Sequence, residues 1–222
     1  ADPRGVMKAR WLIPALAVVL LMPVGAWAER PSKVLEAYID QVVEVFEKAS
    51  LKDDEEDVHQ LKQDLQVLAD QAFSYQVMAR MSLGSSWKRF DSAQQQEFVQ
   101  LFTRMLEETY FSKIRKYFQE IKSYSREQVV ITDEIIFSSR KAEVQTEMEH
   151  EGTKVPVHYR MVTLNGDWKV YDVQVEGVSL VQNYRSQFQD LMLKHSPEEV
   201  MEIVRKKVED GSSEELSDIA VD

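Results

Sequence analysis

The chain has no cysteine among its 222 residues, so its fold cannot depend on disulfide bonds and it has no thiol to oxidise in an oxidising compartment. It also lacks a G-x-S-x-G nucleophile motif, a glycine-rich phosphate loop and a C-x-x-C pair. The four histidines, His59, His150, His158 and His195, fall in different predicted elements without metal-ligand spacing. His150 and His158 could meet across a hairpin, but no third ligand accompanies them. We therefore expect neither a metal site nor a cofactor.

Basic residues are also scarce in this sequence. Lysine and arginine number 27 against 38 aspartates and glutamates, which gives a formal net charge of −11 at pH 7. A chain this acidic will not bind nucleic acid or an anionic bilayer through bulk charge attraction.

Residues 1–28 have the pattern of a cleavable secretory signal peptide. Lys8 and Arg10 form a positive segment, residues 11–22 are apolar, and Ala26-Trp27-Ala28 is an A-x-A cleavage site. A membrane anchor is the alternative, but two prolines and a glycine interrupt a stretch that is barely long enough to span. Met7 then looks like the natural start. Because residues 1–28 contain three basic residues and one acidic residue, their removal changes the formal charge from −11 to −13.

The rest of the chain is expected to form one domain over residues 29–210 and a disordered acidic tail over residues 211–222. Apolar residues at helical spacing predict a helical N-terminal half. Ser32 is expected to cap the first helix, Lys52 to Asp57 to form a charged linker, and the second helix to begin near Val58. Short helices are expected over 75–83.

The longest helix is expected to begin at Asp91 or Ser92, with Gln95 completing a capping box that starts at Ser92. Its apolar stripe is broad and rich in aromatic residues. Near the other end of the chain, Ser196-Pro197-Glu198-Glu199 combines an N-cap, a proline and a capping box, and so predicts the start of the final helix.

From Glu127 onward the apolar period changes from 3.6 to 2, which predicts four antiparallel strands. Asn165-Gly166 indicates a type I′ hairpin between the last two strands. In the last strand the apolar side changes near Val170-Tyr171, which indicates either a β-bulge or a strand buried on both faces. We favour the bulge, which would curve the sheet and leave a concavity under the longest helix. This strand then passes through Gly177 into an amphipathic helix.

These patterns predict an α+β fold. A helical N-terminal half packs on a twisted four-stranded antiparallel sheet, an NTF2-like cone, and a C-terminal helix follows. Such a cone could host a small-molecule enzyme if it held an acid beside a tyrosine. Asp133 is the acid on an otherwise apolar strand side, with Tyr159 or Tyr171 as partners. A solvent-facing aspartate fits better, so we do not expect an enzyme. A protein-interaction module with a filled interior is a further alternative.

Several segments carry a resemblance to a known family. They are Met81-Ser82-Leu83-Gly84 with Trp87; Gln94 to Phe102 leading into Thr109-Tyr110; Val155 to Arg160; Trp168 to Val173 with Glu176 to Leu180; and Asn183 to Phe188. Together and in this order they resemble the MlaC family, also called the toluene-tolerance or ABC-transporter auxiliary family. The resemblance extends to about Leu193.

This resemblance implies a soluble periplasmic carrier of glycerophospholipid in a Gram-negative bacterium, which maintains outer-membrane lipid asymmetry. Its partners would be phospholipid, an outer-membrane lipoprotein complex and an inner-membrane MCE-domain ABC transporter complex. The phospholipid would be cargo rather than a cofactor, with its tails inside the protein and its head group at the mouth. We expect a monomer.

The expected wall of the lipid cavity combines apolar and aromatic residues of the long helix, the sheet and the helix after Gly177. These residues are Phe98, Phe102, Met105, Tyr110, Ile131, Met148, Val157, Tyr159, Met161, Val173, Val175, Val178, Tyr184 and Phe188. Periodicity alone cannot distinguish such a wall from a filled core. Arg185 is a candidate for contact with the head-group phosphate, because its forked donors suit phosphate. Alternatively, it ties its helix to neighbouring elements.

Overall fold

The computed structural model describes residues 29–49, 55–120, 126–150 and 152–210. The expected signal peptide, part of the expected charged linker and the expected tail lie outside these ranges. The helices are α1 (Pro31–Lys48), α2 (Glu55–Ala72), α3 (Tyr75–Leu83), α4 (Ser92–Glu120), α5 (Leu180–Lys194) and α6 (Pro197–Asp210), and the strands are β1 (Val129–Ser138), β2 (Lys141–His150), β3 (Thr153–Leu164), β4 (Asp167–Val175) and β5 (Val178–Ser179). Short 3-10 turns occupy Gly84–Arg89 and Arg126–Gln128. No helix in the described ranges is both long and apolar enough to cross a bilayer.

The strands form one antiparallel sheet in the order β1-β2-β3-β4-β5, and the predicted α+β architecture is confirmed. The sheet differs from the four-stranded prediction by β5, a two-residue strand that pairs with the end of β4. The hairpin between β3 and β4 is also confirmed. Asn165 and Gly166 have φ values of 53° and 98°, and the type I′ turn requires positive φ at both positions.

The predicted bulge in β4 is confirmed by the pairing with β3. Arg160 lies opposite Asp172 but Met161 lies opposite Val170, so Tyr171 is the extra residue. Because side chains alternate along a strand, the extra residue keeps Val170 and the following Val173 on one face of the sheet.

The predicted start of α1 is wrong by two residues, because Ser32 was expected to be the N-cap. Helix α1 begins at Pro31, and Arg30 is its N-cap without a side-chain hydrogen bond. Proline suits the first helical position because the N–H it lacks would have no partner there. Ser32 lies inside the helix, and its backbone N–H donates to Glu134 Oε2 of β1 at 2.7 Å.

The start of α2 also differs from the prediction, because Glu55 already belongs to the helix. Residues 55–57 therefore extend the helix rather than the charged linker. Their acidic side chains suit a helix N-terminus, where the macrodipole is positive.

The capping box of α4 is formed by Asp91 and Gln94 rather than by Ser92 and Gln95. Asp91 Oδ1 accepts from the Gln94 N–H at 2.9 Å, and Gln94 Oε1 accepts from the Asp91 N–H at 2.9 Å. Gln95 instead donates to the carbonyl groups of Trp87 and Phe90. The capping box of α6 is confirmed, since Ser196 and Glu199 exchange hydrogen bonds of 2.7 and 3.3 Å.

Two apolar clusters support this arrangement. The helical core lies between α3, α4, α5 and α6, and its members include Phe98, Phe102, Met105, Tyr184 and Phe188. The sheet core lies between α1 and one face of the sheet, and it consists of Leu35, Ala142, Val144, Met161, Trp168 and Val170. A smaller contact of Phe46 with Leu61 joins α1 to α2.

Candidate functional site

A cavity of about 490 Å³ lies between α2, α4 and the end of the sheet that carries β5. Its lining residues are Lys62, Leu65, Gln66, Ala69 and Phe73 on and just after α2; Tyr75 and Met78 on α3; Leu106, Glu107, Tyr110 and Phe111 on α4; and Tyr159, Val173, Val175, Val178, Leu180 and Asn183 on the sheet and α5. Most of these side chains are aliphatic or aromatic. The volume lies within the range of about 300 to 1,000 Å³ that is typical of small-molecule sites.

The bulge in β4 determines which strand residues reach this cavity. Val173 pairs with Tyr159 across the β3–β4 ladder, and both side chains line the cavity. They also pack against the sheet core, so the cavity continues the apolar face that α1 covers. Without the extra residue at Tyr171, the alternation along β4 would turn Val173 to the opposite face.

The cavity reaches the protein surface at the turn between β4 and β5. Val175 and Val178 line it and are 45% and 66% exposed. They pair with each other across this turn, in which Glu176 and Gly177 have positive φ values of 51° and 81°. Two exposed valines beside an apolar interior form an apolar rim at the protein surface. An amphiphile would cross from water into the cavity at this rim.

Polar side chains link α2 to α4 along one side of the cavity. Gln66 Nε2 donates to Glu107 Oε2 at 2.8 Å, and Lys62 Nζ donates to Glu108 Oε1 at 2.6 Å. The Lys62 ammonium also lies 5.6 Å from the centre of the Phe111 ring, a distance at which the ring face attracts a cation.

Glu107 is the acidic residue of the lining, and its two oxygens differ. Oε2 accepts the bond from Gln66, whereas Oε1 is buried without a hydrogen-bond partner in the described part of the chain. Burial raises the pKa of Glu107, and the negative charge of Asp70 adds to this effect. The Gln66 hydrogen bond and the charge of Lys62 act in the opposite direction but do not cancel the increase.

Two tyrosines of the lining, Tyr75 and Tyr110, remain neutral at physiological pH. Burial raises the pKa of Tyr75, with further contributions from Glu107 and Asp70. Burial also raises the pKa of Tyr110, whose hydroxyl is hydrogen-bonded to Tyr184 in the helical core behind it. These rings therefore add apolar area to the wall and bring hydroxyl groups that carry no charge.

The chain is similar to known proteins in sequence and in fold. The family model described as MlaC protein matches residues 36–206, well over half of the chain. The chain belongs to the MlaC family. Among solved structures, it is similar to the phospholipid-binding protein from Ralstonia solanacearum in complex with a phospholipid. The two chains are 18% identical with a TM-score of 0.67, and the similarity covers 82% of this chain and 99% of that one. At this identity the similarity shows a shared fold. No curated protein sequence matches the chain.

The structure of this MlaC-family chain brings together some of the predicted wall residues. Tyr110, Tyr159, Val173, Val175 and Val178 line the cavity. The others lie elsewhere: Phe98, Phe102, Met105, Tyr184 and Phe188 are in the helical core, and Ile131, Met148, Val157 and Met161 are on the cavity-side face of the sheet without lining the cavity. Binding of lipid by the lining residues stays a prediction.

The helical core is densely packed where these aromatic residues lie. Phe98 and Phe188 have ring centroids 5.2 Å apart, and those of Phe102 and Tyr184 are 5.5 Å apart. Both pairs meet edge to face, an arrangement that aromatic rings favour. One face of α4 therefore packs against α5, while the neighbouring face, with Leu106 and Tyr110, borders the cavity.

Sequence reasoning missed the contribution of α2 to the wall. Lys62 and Gln66 line the cavity beside Leu65, although polar residues normally mark the solvent side of a helix. Glu107 was missed for the same reason. Their i, i+4 spacing on α2 was the signal that Lys62 and Gln66 share one face.

Arg185 does not line the cavity, and its role as a head-group contact stays a prediction. Its guanidinium group packs over Gly84, where an added Cβ would lie 3.1 Å from Arg185 Nε. This contact between α5 and Gly84 fits the alternative prediction, in which Arg185 ties its helix to a neighbouring element.

Asp133 is not part of the cavity either. It is exposed on β1, pairs in register with Gln145, and accepts a hydrogen bond from the Glu134 N–H at 2.8 Å. Neither Tyr159 nor Tyr171 lies on the neighbouring strand, so the acid–tyrosine pair of the enzyme alternative does not form. Within the described ranges, no three His, Asp or Glu side chains gather as a metal site would require.

Proposed function

We propose that this chain is a periplasmic carrier that holds the acyl tails of a glycerophospholipid in the cavity and shuttles the lipid between outer-membrane and inner-membrane ABC transporter complexes. The observation that carries the proposal is an apolar cavity with an exposed valine rim in a MlaC-family chain. The phospholipid bound by the similar Ralstonia solanacearum protein supports the same class of cargo.

A carrier is needed because acyl chains are costly to expose to water. Each methylene costs about 0.8 kcal/mol on transfer to water, so two chains cost on the order of 20 kcal/mol. The aliphatic and aromatic lining of the cavity would cover such chains and contribute few polar atoms that tails cannot satisfy.

The orientation of the cargo follows from the two ends of the site. Tails would lie against Val173, Tyr110 and Met78, while the head group would stay in water beyond Val175 and Val178. A charged phosphate is too costly to desolvate in an apolar interior without paired cations.

Transfer itself would be passive exchange. A lipid in the cavity and a lipid in a bilayer are both shielded from water, so the net free energy of transfer can be near zero. The barrier lies in the exposed intermediate, which docking on a membrane complex would cover. The direction of transport would then be set by the ATP-driven partner or by the relative affinities of the complexes.

The compartment in this proposal rests on the signal-peptide pattern of residues 1–28. The absence of any chemical step rests on the apolar character of the lining, which suits binding rather than catalysis. Exchange among carriers and membrane complexes in the periplasm would contribute to outer-membrane lipid asymmetry.

Lipid extraction tests the proposal directly. The protein is purified gently from the periplasm of a Gram-negative host, extracted with organic solvent and analysed by mass spectrometry; near-stoichiometric phospholipid is expected. Val173→Glu places a carboxylate in the apolar wall and should abolish lipid retention. Val130→Glu is the matched control, because Val130 is 53% exposed on β1 and lies outside the cavity.

Folding of each variant is checked by circular dichroism, and Tyr110→Glu serves as a second cavity variant. Wild-type protein free of phospholipid would refute the proposal. Full lipid loading of both cavity variants would show that the lipid lies elsewhere.

A further inference from the structure

Glu107 occupies an unusual position for a carboxylate. It lies in the middle of α4, in the wall of an otherwise mainly apolar cavity, opposite α2. Only one of its oxygens is hydrogen-bonded, and the other is buried without a partner in the described part of the chain. A buried ionised oxygen without a donor is expensive, because the protein does not replace the water it has lost.

The groups around Glu107 add little positive charge. From α2 it faces Asp70 and Lys62, from α3 it faces Tyr75, and its neighbour on α4 is Glu108. Two of these are acidic, and Lys62 already donates to Glu108. The surroundings therefore disfavour the negative charge, in agreement with the raised pKa of Glu107.

Filling the cavity would increase this cost. Without cargo, water that entered the cavity would screen the Glu107 charge from beyond hydrogen-bond distance. Acyl chains would replace this water with hydrocarbon, which neither donates hydrogen bonds nor screens charge. The neutral carboxylic acid tolerates this change better than the carboxylate does.

We propose that Glu107 takes up a proton from bulk water when acyl chains fill the cavity, so that cargo is held more tightly in acidic than in neutral solution. This inference rests on the proposed function, since it requires the tails to occupy this cavity.

The sign of the effect follows from linkage. If the pKa of Glu107 is higher in the loaded protein than in the free protein, affinity is greatest at pH values below the free pKa. It then falls as pH rises through the window between the free and loaded values. Each unit of difference between the two pKa values gives a tenfold change in the dissociation constant.

The test measures binding of a short-chain phosphatidylcholine, used below its micelle concentration, by isothermal titration calorimetry from pH 5 to pH 8. The phosphocholine head group does not change its charge over this interval, so any change must come from the protein. Titrations in two buffers of different ionisation enthalpy give the number of protons taken up per lipid bound. Circular dichroism at each pH confirms that the protein stays folded.

The expected result for the wild type is an affinity that falls severalfold or more with rising pH, together with net proton uptake. Glu107→Gln should bind with little pH dependence, at the level of the acidic wild type, and without proton uptake. Glu97→Gln is the matched control, because Glu97 is on the same helix but is ion-paired to Arg205 of α6, outside the cavity. It should retain the wild-type pH dependence.

Four outcomes overturn the inference. If the wild type binds strongly but with no pH dependence, the inference is refuted and the proposed function stands. The same holds if Glu107→Gln keeps the pH dependence of the wild type. Absence of binding at every pH refutes the proposed function and this inference with it. If Glu107→Gln does not fold, the proton count of the wild type decides, and a value near zero refutes the inference.

Discussion

Removal of the Asp172 carboxylate should destabilise the protein at the junction that positions the mouth of the cavity. Asp172 lies on β4, next to the bulge, and is only 2% exposed. It accepts hydrogen bonds from the Ser179 hydroxyl at 2.6 Å and from the Val181 N–H at 3.0 Å. Ser179 in turn caps α5 by accepting from the Gln182 N–H. One carboxylate thus holds the first turn of α5 against the sheet.

The magnitude follows from these contacts. A hydrogen bond to a charged group contributes about 1.5 to 3 kcal/mol, and a buried donor left without a partner costs about 1 to 3 kcal/mol. Asp172→Ala removes two such bonds and strands the Val181 N–H. The substitution also removes an ion pair, because Arg160 Nη1 lies 3.6 Å from Asp172 Oδ2. Arg160 would then keep only its ion pair with Glu143 among those described. Because water can enter the space and reduce the loss, we expect about 3 to 5 kcal/mol of destabilisation.

Urea unfolding monitored by circular dichroism measures this difference. Asp190→Ala is the matched control, because Asp190 is exposed on α5 and exposed substitutions usually change stability by less than about 0.5 kcal/mol. A cost below about 1 kcal/mol for Asp172→Ala would refute the reasoning, since it would mean that the two hydrogen bonds do not hold α5.

Two further predictions concern the backbone at α3 and the pH dependence of stability. Gly84 has φ +57° and ψ −126°, a conformation that strains other residues, and an added Cβ would meet the Arg185 guanidinium at 3.1 Å. Gly84→Ala should therefore cost about 1 to 3 kcal/mol in urea unfolding, and more than Gly152→Ala, whose Cβ would meet nothing within 4 Å; equal costs would contradict this. Burial alone would raise the pKa of Glu134, but its hydrogen bonds with Ser32 and its ion pair with a neighbouring arginine lower the pKa overall. The Glu134 carboxylate therefore stabilises the fold above the ordinary glutamate pKa, and this contribution is lost as pH falls. Glu134→Gln should lower the free energy of unfolding clearly at pH 7 and have no effect in acid. A difference that does not depend on pH would contradict this prediction.

Much of the fold could be predicted because its signals are local. The type I′ turn at Asn165-Gly166 and the capping box at Ser196 depend on neighbouring residues only, and both formed as expected. The start of α1 was predicted incorrectly, because Ser32 was expected to be the N-cap and the N-cap is Arg30. The start of α4 at Ser92 agrees with the prediction, but its capping box was assigned to the wrong pair of residues. Pro31 decides the first case by favouring the first helical position, and the reciprocal bonds of Asp91 with Gln94 decide the second.

The candidate site was harder to predict than the fold. The apolar stripe of α4 is so broad that two adjacent faces of the helix are covered, one in contact with α5 and one bordering the cavity. Phe102 and Tyr110 both belong to this stripe, but only Tyr110 lines the cavity. Whether an apolar face meets another helix or a void depends on where the neighbouring elements lie, and periodicity does not contain that information.

The position of α2 explains why a void remains beside α4. Near its start, α2 is anchored to α1 through Leu61 and Phe46. Farther along, long polar side chains join it to α4, Gln66 to Glu107 and Lys62 to Glu108. Such side chains act as spacers, because closing the gap would compress or desolvate them. An apolar wall held open in this way gives up packing energy that hydrocarbon cargo can restore. The polar links between α2 and α4 therefore keep the cavity available.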